Sequence, residues 1–310
     1  MESTANSGTV EEKRDNQFGK TGSGLSDLTI RNLFIIPTIV FLIVINIFPL
    51  LWSLLLSFYE WRASGSDEPI FVGIQNYQDI LGDQNFWDTF VLTAKYVVYA
   101  VLGELIVGFG IALLLNREIK GKGLITTLLL LPMMMSPAIV GLFWKLLWNP
   151  GWGIINPMLG LGREMSWLSS TDRVMAAVVF TDIWMWYPFV MLLSLAGLSA
   201  IPKHLYEAAE IDRASWWFTF KNITLPLVSP LLLIAVIFRT MENFKQFDMI
   251  FTLTGGGPGI ATEVNAIKLY RMAFQQWDTG KSCAFAYIML VMVVGISNIY
   301  IKYLNKIKER

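Results

Sequence analysis

Between apolar neighbours in the stretch 226–253 stand Arg239, Thr240, Glu242, Asn243, Lys245, Gln246 and Asp248. Charges inside a segment apolar enough to enter a bilayer are costly, and they persist where they pair or do work. On a helix turning 100° per residue, Arg239, Glu242, Asn243 and Gln246 share one face, and Lys245 shares a neighbouring one with Asp248. Arg239 with Glu242, and Lys245 with Asp248, are each three residues apart, a spacing at which opposite charges pair within a helix. Two roles stay open: these groups satisfy one another or a partner subunit, or they contact a polar solute in a membrane path. Lys95, Glu104, Lys145 and Asp182 also fall within or near apolar runs; Lys145 is near enough to an end to snorkel, and Asp182 with Trp184, Trp186 and Tyr187 could face the same path.

Other chemistries find no residues to carry them. His204 is the single histidine and cannot build a metal site, and Cys283 is the single cysteine, so no intrachain disulfide forms. No G-x-x-x-x-G-K-[ST] phosphate cradle and no nucleophile–base arrangement occurs, so the chain reads as neither an ATPase nor another enzyme. Gly255-Gly256-Gly257 lacks the following lysine and serine of such a cradle and reads as a flexible end to an apolar run.

The elements that must hold these residues are membrane helices. Of 310 residues 54% are hydrophobic and 15% charged, with a mean hydropathy of +0.51, which excludes a soluble domain. After a polar tail over 1–29, apolar runs at about 33–58, 90–115, 124–148, 174–198, 226–253 and 283–304 each reach the ~20 residues needed to cross the hydrocarbon core. The first is too long for a cleavable signal peptide and should remain as a span. This predicts an all-α polytopic membrane protein with six transmembrane helices. It gives a cytoplasmic tail over 1–29, a six-span transmembrane domain over 30–305 with a polar loop at 199–226, and a short cytoplasmic tail over 306–310. Fourteen lysines and arginines lie in the tails and the loops 116–123 and 199–225, against six on the other side, which places both termini in the cytoplasm. Pro132, Pro137, Pro188 and Pro230 interrupt helical hydrogen bonding within or beside spans, a feature tolerated where the backbone lines a cavity.

One polar stretch interrupts the apolar pattern: Glu207-Ala-Ala-Glu-Ile-Asp-Arg-Ala-Ser-Trp-Trp-Phe-Thr-Phe-Lys-Asn-Ile-Thr-Leu-Pro226. Pro202 suits the first turn of a helix through Glu210, with the two alanines permitting close approach of another surface. Asp212, Arg213 and Ser215 suggest a turn, and Ser215 is available to N-cap a second short helix ending at Leu225-Pro226.

The spacing of Glu207-Ala208-Ala209, Asp212, Ala214, Phe220, Ile223, Leu225-Pro226 and Pro230 resembles the signature cytoplasmic loop of ABC-importer membrane subunits. Arg213 departs from it, standing where the family has glycine in a left-handed backbone. Three further stretches narrow the resemblance to the first membrane subunit of maltose-type carbohydrate importers: Phe71-Val-Gly-Ile-Gln-Asn-Tyr77, Leu131-Pro132 with Pro137, Gly141-Leu142 and Trp144, and Thr254-Gly-Gly-Gly-Pro258.

The resemblance implies an ABC-importer permease fold in a bacterial or archaeal cytoplasmic membrane, moving a sugar or oligosaccharide inward; glycerophosphate or another anionic solute stays open, as does a secondary transporter. It implies that Glu207, Ala208, Ala209, Asp212, Arg213, Ala214, Ile223 and Pro226 couple to an ATPase. It also implies that Asn243, Lys245 and Gln246 contact substrate; Arg239, Glu242, Asp248 and Tyr187 join them as pathway candidates on the polar pattern of the spans themselves. The implied partners are a second permease subunit in a heterodimer, an ATPase dimer carrying ATP and Mg, an extracytoplasmic solute-binding protein and membrane lipid. The chain itself would bind no cofactor, and no nucleic acid is implied.

Overall fold

The computed structural model describes residues 27–65, 68–117 and 119–308. The polar tail expected over 1–29 therefore lies outside the described residues up to position 26, while Asp27 already begins a helix. The chain divides into two units, Met1–Ser53 and Leu54–Arg310. The first holds α1 (Asp27–Leu42), a five-residue π turn and most of α2 (Phe48–Leu56), whose last three residues belong to the second. Together they supply the first crossing, Arg31–Leu56, whose side chains are largely exposed and apolar, as suits a surface in contact with lipid or another subunit.

The second unit opens with a small hairpin, β1 (Tyr59–Glu60) antiparallel to β2 (Ile70–Phe71), followed by α3 (Gln75–Gly82). The 32-residue α4 (Gln84–Leu115) follows, N-capped by Asp83, whose carboxylate accepts from Asn85 N at 3.0 Å. Three apolar clusters succeed one another along this helix: one at Phe86 with Ile80 and Phe285, a large one around Tyr96–Val101, and one at Ala112 and Leu115. Its length of about 48 Å joins one membrane surface to the other.

The third crossing is in two pieces. Helix α5 (Lys122–Leu130) gives way at Pro132, which has no N–H to continue it, and α6 (Pro137–Leu147) restarts with proline at its first position. After the short α7 (Ile155–Met158), α8 (Val174–Ser199) packs along α4. The two backbones approach so closely at Gly108 that a Cβ there would fall 2.6 Å from the Tyr187 carbonyl oxygen.

Beyond α9 (Lys203–Ile211), Ser215 caps α10 (Trp216–Thr219), accepting from Phe218 N at 3.2 Å as expected. The helix it starts is not short, however. It continues through a π turn at Phe220–Thr224 into α11 (Leu225–Phe244), giving 29 unbroken residues from Trp216 to Phe244. Pro226 is tolerated because it falls at the beginning of α11.

Two further expectations about the fifth crossing fail. The helix stops at Phe244 rather than running to 253, Lys245 takes a non-helical backbone, and α12 (Asp248–Thr254) is a separate helix. Helix α12 lies against α6, so the second pieces of the two broken crossings pack on each other. A Cβ on Gly141 would sit 2.6 Å from the Met249 carbonyl oxygen. The Thr254–Gly257 stretch is not a loose end: Thr254 Oγ1 meets Thr262 Oγ1 at 2.7 Å, Thr262 donates to Gly257 O at 2.8 Å, and Arg271 Nη2 donates to Gly255 O at 2.8 Å while pairing with Glu263. Helix α13 (Asn265–Tyr270) and α14 (Thr279–Lys308) complete the fold, α14 starting four residues before and ending four after the predicted sixth run.

Candidate functional site: a surface loop and a buried charge cluster

The polar stretch forms a rigid elbow. Tyr206 OH meets Thr224 Oγ1 at 3.1 Å, tying α9 to the helix that returns, and Leu205, Tyr206 and Ile223 pack on Leu198, Ile201 and Val228. Helix α9 closes with Arg213 N donating to Glu210 O at 3.0 Å and Ala214 N to Ala209 O at 2.9 Å, the paired bonds of a Schellman end. That end requires a left-handed residue, and Arg213 supplies it with φ +53°. The turn thus keeps its geometry despite the arginine, at a cost of about 1 kcal/mol that glycine would avoid. Arg213→Gly should accordingly raise the apparent Tm of the purified protein, and an unchanged or lower Tm would show that the arginine side chain compensates.

Glu207, Ala208, Asp212 and Arg213 are exposed, while Ala209 is buried at 8% exposure. Only Ala208 of the alanine pair is therefore open to another surface; Ala209 faces inward and lets α9 approach its own chain. Ile211, at 82% exposure, adds an apolar contact to this surface that the sequence reading missed. Its place at the last turn, one step from the solvent-facing Glu210, was the available signal.

The charges of the fifth crossing do not pair as the same-helix spacing suggested. Arg239 leaves Glu242 and reaches across to α4, donating from Nε to Glu104 Oε2 at 2.7 Å and from Nη2 to Glu104 Oε1 at 2.9 Å. The same Nη2 reaches Asp182 Oδ2 on α8 at 3.3 Å and Asn243 Oδ1 at 2.6 Å, and Trp186 covers the guanidinium at 4.4 Å. Asn243 Nδ2 completes the set with Asp182 at 3.3 Å. Glu104, Asp182 and Asn243 are wholly buried and Arg239 is 2% exposed. A fork-shaped guanidinium suits two carboxylates at once, where a lysine would supply only a point charge. Lys245 pairs with Glu242 at 2.9 Å, not with Asp248, because the helix has already ended; both members of that pair are more than half exposed. Tyr187 OH donates to Leu129 O at 3.3 Å, joining α8 to α5 beside the proline break.

The site therefore separates into three parts: an exposed elbow, a buried cluster joining α4, α8 and α11, and a more accessible polar group at the break after Phe244. Residues 104–309 match the family described as binding-protein-dependent transport system inner membrane component. The chain belongs to that family.

Relatives of this transport component support the assignment over nearly the whole chain. It is 36% identical over 272 residues to the trehalose/maltose transport system permease protein MalF of Thermococcus litoralis, covering 87% of this chain and 92% of that one. It is 31% identical over 283 residues to the sulfoquinovosyl glycerol transport system permease protein SmoG of Agrobacterium fabrum, covering 91% and 92% respectively. Its fold is similar to a chain of a bacterial ABC transporter that imports the acidic polysaccharide alginate, with a TM-score of 0.76 at 20% identity, covering 90% of this chain and 96% of that one. The polytopic helical permease fold expected from the sequence is thus that of this transport component. Of the predicted path residues, Arg239 and Asn243 are committed to the buried cluster. Lys245 and Gln246 lie at the break in the helix, and Asp248 starts α12. The sequence shows Glu104 and Asp182 as intramembrane charges, but nothing local to either residue marks Arg239 as the partner.

Proposed function

We propose that this chain is a permease subunit of an ATP-driven importer that carries a sugar or oligosaccharide into the cell. It works with a second, similar membrane subunit, a pair of cytoplasmic ATPases holding ATP and Mg, and an extracytoplasmic binding protein. The observation that carries this reading is the exposed elbow at Glu207–Arg213, built on a helix that runs without interruption from Trp216 to Phe244. An ATPase gripping Glu207, Ala208 and Asp212 would move the end of a rod that bears Arg239 at mid-membrane. The names of the relatives, which transport trehalose, maltose or a sulfosugar glycoside, support a saccharide as the solute. Glu242, Lys245 and Gln246, at the break in the fifth crossing, are the groups available to hydrogen-bond sugar hydroxyls. Gln246 Nε2 has no partner among the described residues and is buried, which favours a ligand at that level.

The excess of lysine and arginine around the elbow and both ends supports a cytoplasmic location for them in a bacterial or archaeal cytoplasmic membrane. Cysteines introduced at positions 120, 212 and 302 should escape an impermeant thiol reagent applied to intact cells, whereas one at 152 should react. The same preparation should co-purify an ATPase. Labelling at two of the three inner positions would overturn the orientation, and purification of an active transporter without any ATPase would overturn the importer reading.

A further inference from the structure

Two apolar cavities open along one face of α8. One, of about 350 Å³, lies against α7 and is lined by Trp148, Met158 and Leu159. The other, of about 530 Å³, lies against α4 and is lined by Tyr99, Val179 and Ile183. Ala176 and Phe180 line both, so the two cavities form one groove. Its walls are fixed by packing within the chain. Phe180 meets Trp144 and Trp148 edge-on, with ring centroids 5.3 and 5.8 Å apart, and Trp148 Nε1 donates to Thr181 Oγ1 at 3.2 Å. Ile183 closes the far end against α4, where a Cβ on Gly103 would fall 2.1 Å from Ile183 Cδ1.

The dimensions of the groove match one leaflet of a bilayer. Arg173, Ala176, Phe180 and Ile183 recur at intervals of three and four residues and so stand in one row along the helix. Ten residues separate the first from the last, a rise of about 15 Å, which is half of the ~30 Å hydrocarbon core. A helix from another subunit would need a groove crossing both leaflets, whereas an acyl chain ends within one. The row also changes character at one point. Arg173 is exposed and stands immediately before the membrane segment Val174–Ser199, and the three residues of the row below it are apolar. A guanidinium at the interface above an apolar slot is the arrangement that receives a phosphate and the chain attached to it.

We propose that this groove holds one acyl chain of an anionic phospholipid, with its phosphate on Arg173, in the leaflet opposite the elbow. The leaflet follows from the chain, since α8 ends at Ser199 just before the elbow and Arg173 lies at its other end. The site requires only that the chain span a bilayer and is independent of the solute carried. The bound chain fills the space between α7 and α8 and braces that connection on the membrane helix.

The test uses the protein with its partner chains, purified in detergent and washed, with the retained lipid extracted and measured by mass spectrometry. Wild type should retain phosphatidylglycerol in preference to phosphatidylethanolamine. Ala176→Trp, at an exposed position where the two cavities join, should lower that retention tenfold or more, and Arg173→Gln should abolish the preference. Added phosphatidylglycerol should raise the apparent Tm of delipidated wild type and leave that of Ala176→Trp unmoved. Wild-type retention by Ala176→Trp overturns the groove as the site, and equal retention of the two lipids by wild type overturns the role of Arg173. A photoreactive residue at 176 that captures the second membrane subunit instead of lipid overturns the proposal outright.

Discussion

Replacing Arg239 with methionine should remove uptake and destabilise the chain by about 3–5 kcal/mol, because Glu104 and Asp182 would be left buried without their guanidinium. The size follows from an asymmetry. Taking one member from a buried ion pair leaves an unpaired charge in a medium that cannot solvate it, whereas removing every charge together leaves only a packing change. Glu104→Gln with Asp182→Asn and Arg239→Met in one chain should therefore recover most of the lost stability. Thermal unfolding and monodispersity of the detergent-purified complex would separate the two variants. A single Arg239→Met protein as stable as wild type would mean that water reaches the carboxylates despite their burial. The triple variant also asks whether the cluster serves only to hold helices together. Restored stability without restored uptake would assign it a part in transport.

Glu207→Lys should abolish uptake while the protein still inserts and folds. The residue is exposed and contributes nothing to the apolar contacts that hold the elbow, which come from Leu205, Tyr206 and Ile223. Reversing its charge should cost little stability, within about 0.5 kcal/mol for a surface position. Across an interface, by contrast, a like-charge juxtaposition costs several kcal/mol. The expected signature is loss of the ATPase from the purified complex, with an unchanged yield of the permease chain. Normal transport by an intact complex carrying Glu207→Lys would remove the elbow from the coupling pathway.

The elbow was legible in the sequence because its determinants are local. Pro202, Ser215 and the alternation of acidic and small residues act through hydrogen bonds a few positions away, and the structure places Ser215 at the cap it was expected to fill. The break in the third crossing was likewise advertised by Pro132 and Pro137. The break after Phe244 was not, since neither proline nor glycine marks it and the apolar run continues to Leu253. Its cause lies in tertiary packing, where α12 is drawn against α6 at Gly141. The pairing of Arg239 failed for a related reason. Spacing within one helix reveals neighbours three and four residues away, but Glu104 is 135 residues distant and Asp182 57. Burial separated the two alanines in the same manner, since only the fold decides that Ala209 turns inward.

The π turn at Phe220–Thr224 sets the angular phase between the elbow and the membrane segment. Such a turn carries one residue more than the α-helical turn it replaces, and one residue corresponds to about 100° of rotation. A chain that lost a single residue here could remain helical throughout, keep every cap and every buried contact within α11, and yet present Trp216–Thr219 to a different quarter of the compass. Register here is thus an inherited quantity, set by residue count as much as by residue type. Substitutions within 220–224 leave it alone, whereas a one-codon deletion would reset it while preserving the hydrophobic character by which a membrane segment is recognised.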